Sequence, residues 1–318
     1  MNSRGSALVI VLAVSSILFL GCLFLVKVAR ESVNVSQCLM DKLDALMRAE
    51  STVDLFKFVG ATGRFGMTRL INHLTEVEVL ESLAPAPEKV AGVEVQKGIP
   101  LDGTIVELPE GIELKAVDAG AKLNVWGWLP SCAGQVLELA GADRVRVNSV
   151  QDSLLDWFDR DDLKRLNGAE SYYYRSERKS SFGPRNCVPQ SVDELALVRG
   201  FDDPKIWDAI KNDLVIAPGA QPNLNTMGKD VFRGFLGITE ETADHLLALR
   251  GSRGYLNFYE VASSVGLSID GESLSSYASR VVDLEVGVTT GKARESVRCL
   301  VSFRPDRHSP FQVLEYYY

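Results

Sequence analysis

A dense run of acidic residues near the middle of the chain is the feature best suited to chemistry. The segment Asp156–Asp162 reads DWFDRDD, and Glu170 follows eight residues later. Counting Asp159 as position 1 of a loop places Asp161 at position 3 and Glu170 at position 12. These are three of the positions at which an EF-hand loop binds calcium.

The loop departs from a standard EF-hand. Position 5 is Leu163, and position 6 is Lys164 where an EF-hand requires glycine. Clustered carboxylates repel one another until a cation neutralises them, so one interpretation is a loop that wraps a hard cation by another path. The other is a solvated helix end whose acids face water or pair with Lys164 and Arg165. The spacing alone leaves both open.

The sequence offers little to a catalytic mechanism. Its three histidines, His73, His245 and His308, are far apart in the chain, and it has no HExxH, GxSxG or P-loop motif. None of the five cysteines forms a CxxC pair, which argues against a zinc knuckle. We therefore expect a protein that is not an enzyme.

Composition argues against nucleic acid as a partner. The 318 residues are 46% apolar, enough to bury a core, and they carry a net charge of -8 with a pI near 5.1. An acidic surface repels the phosphate backbone of DNA or RNA. Carboxylates do suit hard cations such as calcium.

Residues 7–26 form an uncharged apolar run long enough to cross a bilayer as a helix. A secretory signal peptide would have a shorter apolar core followed by a small-residue cleavage site, which is not found here. A signal peptide is therefore disfavoured, and a plain signal anchor and a prepilin leader are the two competing interpretations. In a prepilin, the short basic peptide that contains Arg4 would end at Gly5. Cleavage before Ser6 would then leave the apolar helix on the mature protein.

The helix is predicted to continue beyond the membrane, because no Gly or Pro occurs from Val28 to about Phe58. Apolar residues recur there at steps of three, four or seven, and they predict the face that packs on a globular head. These residues are Val35, Leu39, Leu43, Leu46, Val53 and Phe56.

The rest of the chain alternates between predicted strands and predicted short helices. The strands are Val90 to Val95, Thr104 to Leu108, Ile112 to Val117, Val281 to Val288, Val297 to Phe303 and Val313 to Tyr318. The helices are Val150 to Arg160, Val192 to Val198, Pro204 to Ile210, Lys229 to Leu236, Glu240 to Leu249 and Phe258 to Val265. Such short helices are unstable alone, so we expect them to pack together as an α-domain inserted into a β-fold.

Two segments, residues 191–201 and 237–261, resemble helix-hairpin-helix units. Such hairpins often bind DNA phosphates through backbone amides at helix starts. Here acidic residues occupy those starts, where they would cap the helix dipoles and repel phosphate. They are Asp202 and Asp203 at the first start and Glu240 and Glu241 at the second. Structural packing is therefore favoured, and a membrane-anchored, competence-type DNA-binding protein is the alternative.

Taken in order, these elements resemble general secretion pathway protein K, a minor pseudopilin family of type II secretion. The resemblance covers most of the chain, and its central segments are more specific to the family than the leader. It is carried by the leader ending at Gly5, the Asp156–Asp162 segment, Gly168-Ala169-Glu170 with three tyrosines after it, SVDELALVRG from Ser191, and PNLNT from Pro222.

The resemblance implies an α+β, pilin-like fold, in which a long N-terminal helix packs on an antiparallel sheet that contains a large inserted α-helical domain. The implied division is 1–5 as prepilin leader, 6–27 as transmembrane helix, 28–148 as pilin-like helix and first part of the sheet, 149–278 as inserted α-domain with helix-hairpin-helix-like units, and 279–318 as C-terminal strands.

The resemblance also implies a function. The expected protein is a non-enzymatic subunit that caps a pseudopilus tip with other minor pseudopilins and supports export of folded proteins across the outer membrane. It would be processed by prepilin peptidase and would span the inner membrane once, with its soluble domain in the periplasm. Calcium is the implied ion, with Asp159, Asp161 and Glu170 as ligand candidates and Asp162 and Asp156 as further ones.

One position distinguishes a tip subunit from other pilins. Most pilins have glutamate at the fifth mature position, where it pairs with the N-terminus of a neighbouring subunit. Cleavage after Gly5 would place Ile10 there, as is typical of the K family and suitable for a subunit with none above it. The chain departs from the family at Met227, often alanine, and at Lys164 and Arg165, where proline is common.

Overall fold

The fold consists of one long helix, a five-stranded sheet and a group of short helices. A computed structural model describes residues 3–72, 98–126, 129–178, 181–265, 274–305 and 307–318. The helices are α1 (Ser3–Thr62), α2 (Leu129–Leu139), α3 (Arg144–Phe158), α4 (Pro204–Ile210), α5 (Lys229–Leu236), α6 (Glu240–Arg253) and α7 (Phe258–Val265). The strands are β1 (Arg64–Phe65), β2 (Arg69–Ile71), β3 (Ile99–Pro100), β4 (Asp102–Leu108), β5 (Ile112–Asp118), β6 (Leu123–Asn124), β7 (Leu214–Val215), β8 (Val281–Thr290), β9 (Ala293–Ser302) and β10 (Gln312–Tyr317).

Helix α1 is unbroken over 60 residues, which confirms the predicted continuation beyond the apolar run. At 1.5 Å per residue its length is about 90 Å. Its described part from Val11 contains a window of mean hydropathy 2.5, none of which is buried. Among the described residues it is the one helix long and apolar enough to cross a membrane.

The face of α1 that packs on the sheet differs in part from the predicted one. Val53 and Phe56 are buried and Leu46 is half-buried, as predicted, but Val35, Leu39 and Leu43 are exposed. The periodicity is helical throughout, but the buried face begins only at the level of residue 45, so the earlier residues have nothing to pack against. The buried face uses small as well as large side chains: Ala45, Ala49, Val53, Phe56 and Val59.

The main sheet is antiparallel, with strand order β10-β9-β8-β5-β4. Strands β5 and β8 are neighbours, yet residues 119–280 lie between them in the chain. The helices of that segment are therefore inserted into the sheet, and the predicted α+β fold is confirmed. The strands predicted from Thr104 onward are confirmed with shifted ends, whereas Val90 to Val95 lies outside the described residues.

The inserted segment has its own apolar core, which contains Trp157, Tyr174 and Phe232. Helices α4, α5 and α7 have the predicted bounds, and α6 extends to Arg253, where Gly254 adopts a left-handed conformation with φ of 81°.

Three local features differ from the predicted helices. Helix α3 begins earlier, at Arg144, because the Asp143 side chain caps it. The stretch Val192–Leu197 is a 3-10 helix. Helix α2 was not predicted, because Pro130 and Gly134 lower the helix propensity of a segment that nevertheless packs into this core.

A buried carboxylate at the end of β5 ties the insert to the sheet. Asp118 accepts hydrogen bonds from the Ser279 backbone N–H at 2.9 Å and hydroxyl at 2.6 Å, and from the Gly120 N–H at 3.1 Å. It also accepts from Asn223 Nδ2 at 2.9 Å and the Thr226 hydroxyl at 3.1 Å. Asn223 and Thr226 belong to the PNLNT stretch, and Ser279 precedes β8. One carboxylate thus joins the points where the chain leaves and re-enters the sheet.

We expect Asp118→Ala to lower the free energy of unfolding by about 3 kcal/mol, because several buried donors lose their acceptor. Asp102→Ala is the control: that exposed carboxylate accepts one hydrogen bond, from the Thr104 N–H at 3.0 Å. Its loss is expected to cost less than about 1 kcal/mol. Urea denaturation of the full-length protein in detergent measures both. Equal losses would show that Asp118 has no special role at the junction.

Candidate metal centre

The end of α3 is fixed firmly before the acidic loop begins. Trp157, in its last turn, is buried, and its indole Nε1–H donates to Glu194 at 3.0 Å. The indole also contacts Tyr174 edge to face, with 5.2 Å between ring centroids. Asp159 follows as the C-cap residue of α3. The first candidate ligand therefore projects from a helix end whose position is set by the core of the insert.

Three carboxylates meet at this helix end. Asp159, Asp161 and Glu170 each place an oxygen within 4.8 Å of the others. Glu170 is only 4% exposed, and neither of its oxygens has a hydrogen-bond donor among the described residues. The same is true of the buried Oδ1 of Asp159. Buried carboxylate oxygens without partners are costly, and they are the ligands that a hard cation prefers.

Asp156 faces a guanidinium instead. It is fully buried, and Arg165 Nη1 lies 2.7 Å from Asp156 Oδ1 and 2.5 Å from Asp159 Oδ2. The Arg165 backbone N–H also donates to Asp156 Oδ2 at 3.2 Å. Pairing with Arg165, the alternative that the sequence left open, thus applies to Asp156 and to one oxygen of Asp159. It does not extend to Glu170 in the described part of the chain.

The pKa of the Glu170 carboxyl group is raised, as expected for a buried carboxylate without a donor. Burial raises the pKa of Glu170 to about 7, and the negative charges of Asp156, Asp159 and Asp162 act in the same direction. Asp162, an exposed candidate, is within hydrogen-bonding reach, but two ionised carboxylates offer each other no donor. A protonated Glu170 can donate to Asp162, which also favours the neutral form.

The loop between Asp161 and Glu170 is attached to α3 by hydrogen bonds. The Asn167 backbone N–H and its Nδ2 both donate to Asp152 Oδ2, at 2.9 and 3.0 Å. Gly168 passes so close to α3 that a Cβ there would overlap Asp156 Oδ2. Glycine is therefore required at this position for the chain to reach Glu170.

A residue that no sequence pattern singles out also lies against the cluster. Asn186 Nδ2 donates to the backbone carbonyl oxygen of Asp161 at 3.1 Å. Its Oδ1 is buried and has no hydrogen-bond partner among the described residues. Asn186 follows Glu170 by sixteen positions, outside the span of any loop motif, so spacing could not have found it.

The other predicted sites lie elsewhere. Gly5 and Ser6, the expected processing residues, are in the first turns of α1. The helix starts of the hairpin-like units are capped from within the protein: Asp203 accepts from the Lys205 N–H at 2.9 Å, and Thr239 accepts from the Thr242 N–H at 3.3 Å. Glu240 does not cap α6 but pairs with Lys229 at 2.9 Å. The latter contact agrees with a packing role.

A part of the chain matches a known protein-family model. Residues 131–219 match the family model described as type II secretion system (T2SS), protein K. The matched segment contains α3, the acidic loop and the SVDELALVRG stretch. The resemblance to the protein K family is confirmed. This family is a structural pseudopilin component of type II secretion and is not known as an enzyme.

The fold agrees with the family match. The structure is similar to a chain in the crystal structure of the GspK-GspI-GspJ complex from the type II secretion system of enterotoxigenic Escherichia coli. The TM-score is 0.57 at 18% sequence identity, and the similarity covers 91% of this chain and 98% of the other. No curated protein matches the chain. The similarity to the solved structure supports the same helix, sheet and insert arrangement for this chain.

Proposed function

We propose that the protein caps the tip of the type II secretion pseudopilus and so supports export of folded proteins across the outer membrane. The observation that carries the proposal is the surface of α1. The same helix that is apolar enough to cross a membrane continues as an apolar stripe along the globular head. The anchor and the assembly surface are thus parts of one rigid element.

The apolar stripe consists of Met40, Leu43, Met47 and Phe58, whose side chains are 54 to 69% exposed. It is interrupted between Met47 and Phe58 by the exposed polar residues Ser51 and Asp54. At 3.6 residues per turn these four residues fall within about 60° of one another, on the side of α1 opposite the buried face. Large apolar residues aligned on an exposed helix face indicate contact with a partner.

The solved relative was crystallised as a complex of three proteins, GspK, GspI and GspJ. We infer that this chain likewise associates with other minor pseudopilins, and that the apolar stripe is its contact surface. The tip position is supported by Ile10. If prepilin peptidase cleaves after Gly5, the fifth mature residue carries no carboxylate to pair with a subunit above. The soluble domain would lie in the periplasm and α1 would start in the inner membrane.

Mass spectrometry of the mature N-terminus tests the processing step. In cells with an active prepilin peptidase, the chain is expected to begin at Ser6. In cells that lack the peptidase it should begin at or near Met1. A wild-type chain that keeps Gly5 in the presence of the peptidase would refute the cleavage.

Charge substitution in the apolar stripe tests assembly. Met47→Lys is expected to reduce co-purification with other minor pseudopilins about tenfold or more and to lower secretion, since a buried unpaired charge is costly. The melting temperature of the protein alone should not fall, because Met47 is 59% exposed. Ile105→Lys, at a 55% exposed residue of edge strand β4, is the matched control and should assemble normally. Normal assembly of the Met47 variant would contradict the proposal.

We further propose that the acidic loop holds calcium. Oxygens of Asp161 and Glu170 would bind the ion together with Asp159 Oδ1, whose partner oxygen is already held by Arg165. The unpartnered oxygens of Glu170 and Asp159 fit such an ion, because calcium takes six to eight oxygen ligands in flexible geometry. The ion would neutralise the carboxylates and join the end of α3 to the chain at Glu170.

Calcium is expected to raise the melting temperature of the full-length protein in detergent, and more so above the Glu170 pKa of about 7 than well below it. Below that pH the ion must displace a proton. The raised pKa also means that the ion-free fold loses stability as pH rises from 4.5 to about 7, since the unfolded chain releases the proton first.

The combined variant Asp159→Ala, Glu170→Ala should abolish the calcium effect. Asp208→Ala removes an acid of similar charge from the exposed side of α4, where it pairs only with Lys211 among the described residues. It should leave the effect unchanged. A wild-type protein whose melting temperature does not respond to calcium at either pH would refute the calcium proposal.

A further inference from the structure

Two tyrosine rings lie where α1 meets the edge of the sheet. Tyr316 belongs to β10, and Tyr318 follows that strand directly. Side chains two positions apart on an extended chain point to the same side, which here is the side of α1. Tyr316 packs on the core beneath the helix, and the Nζ of Lys57 in α1 lies 5.6 Å from its ring centroid. Because β10 is an edge strand, no further strand lies beyond these rings in the described part of the sheet.

Tyr318 is exposed but held in position. Its side chain is 79% exposed. Its ring nevertheless contacts Tyr316 edge to face, with 5.2 Å between the ring centroids, and its hydroxyl donates a hydrogen bond to Glu50 of α1. A large ring that is already ordered loses little conformational entropy when a partner covers it. Tyrosine is also among the residues that contribute most to protein–protein binding energy.

The position of Glu50 places the Tyr318 ring beside the apolar stripe. On α1, Glu50 follows Met47 by three residues and Leu43 by seven. At 3.6 residues per turn, Glu50 therefore lies within about 60° of both residues around the helix axis. The ring that is bonded to Glu50 thus borders the stripe, and the two form one continuous surface.

The charged groups next to the ring already have partners. Lys57 pairs with Asp54 at 2.9 Å, and Glu50 accepts the hydrogen bond from Tyr318. A partner that covers the ring would therefore not leave an unpaired charge buried, which would be costly.

From these observations we propose that Tyr318 is an anchor residue in the contact with a neighbouring minor pseudopilin. The partner presents an apolar helix face, which packs on Leu43 and Met47 and against the Tyr318 ring. A helix with its side chains is about 10 Å wide, so a helix on these two residues also covers the ring beside them. The inference rests on the proposed function and extends its contact surface from α1 to the end of β10.

The test is co-purification of the full-length protein in detergent with the co-expressed counterparts of GspI and GspJ from the same secretion system. Tyr318→Ala is expected to reduce the recovered partners about tenfold, as for loss of an aromatic anchor. Tyr259→Ala is the matched control, since that tyrosine is 78% exposed and lies on α7 of the insert. It should recover the partners as wild type does. The melting temperature of each variant alone should match that of wild type, because both side chains are largely exposed.

Tyr318→Phe separates the ring from the hydroxyl. Phenylalanine keeps the ring against Tyr316 but cannot donate to Glu50. An anchor role predicts recovery of the partners within about threefold of wild type, because the ring supplies most of the contact. A role confined to the hydrogen bond predicts the same loss as alanine. If the alanine variant does not fold, p-benzoylphenylalanine at position 318 decides the matter: it should crosslink to a minor pseudopilin under ultraviolet light, and at position 259 it should not.

The outcomes for this inference and for the proposed function are distinct. If Met47→Lys assembles normally, the apolar stripe is not the contact surface and the inference about Tyr318 fails with it. If Met47→Lys loses the partners but Tyr318→Ala keeps them, only the assignment of Tyr318 is overturned. The same holds if phenylalanine loses them as alanine does, or if position 318 gives no crosslink. Loss with alanine and retention with phenylalanine support the anchor.

Discussion

The hydrogen-bonded carboxylate of Asp118 is the contact on which the arrangement of sheet and insert depends. An insertion into a sheet must leave one strand and return to its neighbour without forcing the two apart. Strands β5 and β8 stay paired over seven residues although a helical segment of some 160 residues separates them in sequence. At the end of that pairing, Asp118 accepts hydrogen bonds from Gly120, where the chain leaves the sheet, and from Ser279, where it returns. It also accepts one from Asn223 of the PNLNT stretch. The insert can therefore carry a site of its own without disturbing the sheet.

In the acidic loop some carboxylate oxygens are paired with an arginine and others have no hydrogen-bond donor among the described residues. Arg165 lies inside the cluster and satisfies Asp156 and one oxygen of Asp159. This leaves the other Asp159 oxygen and both Glu170 oxygens without donors in the described structure. Part of the cluster is thus an ion pair with the partly exposed Arg165, which fixes the loop, and the other part has oxygens without donors. Arg165 thus helps to order the loop.

Much of the fold followed from local sequence signals. Helix ends marked by proline or glycine, as in α4 and α5, were placed correctly, and so were the β-branched strands of the sheet. The prediction of the packing face of α1 was only half correct. Periodicity identifies the apolar face of a helix, but it does not show how far along the helix the sheet extends. Helix α2 was missed because tertiary packing of Val136 and Leu137 outweighs the poor propensity of its Pro and Gly. Among the site residues, Asp159, Asp161 and Glu170 could be predicted from the sequence, because their spacing matches ligand positions of an EF-hand loop. The partnership of Asp156 with Arg165 and the approach of Asn186 depend on chain folding that spacing does not encode.

The continuity of α1 has a mechanical consequence. A helix of 60 residues with no proline and no break at the membrane boundary behaves as a stiff shaft rather than a tether. Lifting the anchor out of the bilayer by one helical turn would raise the head by the same distance of about 5.4 Å, and any rotation of the anchor would turn the head with it. Force applied to the head would, conversely, act directly on the anchor. In the proposed position at the tip of a fibre, such a helix would transmit the whole of each elongation step to the head.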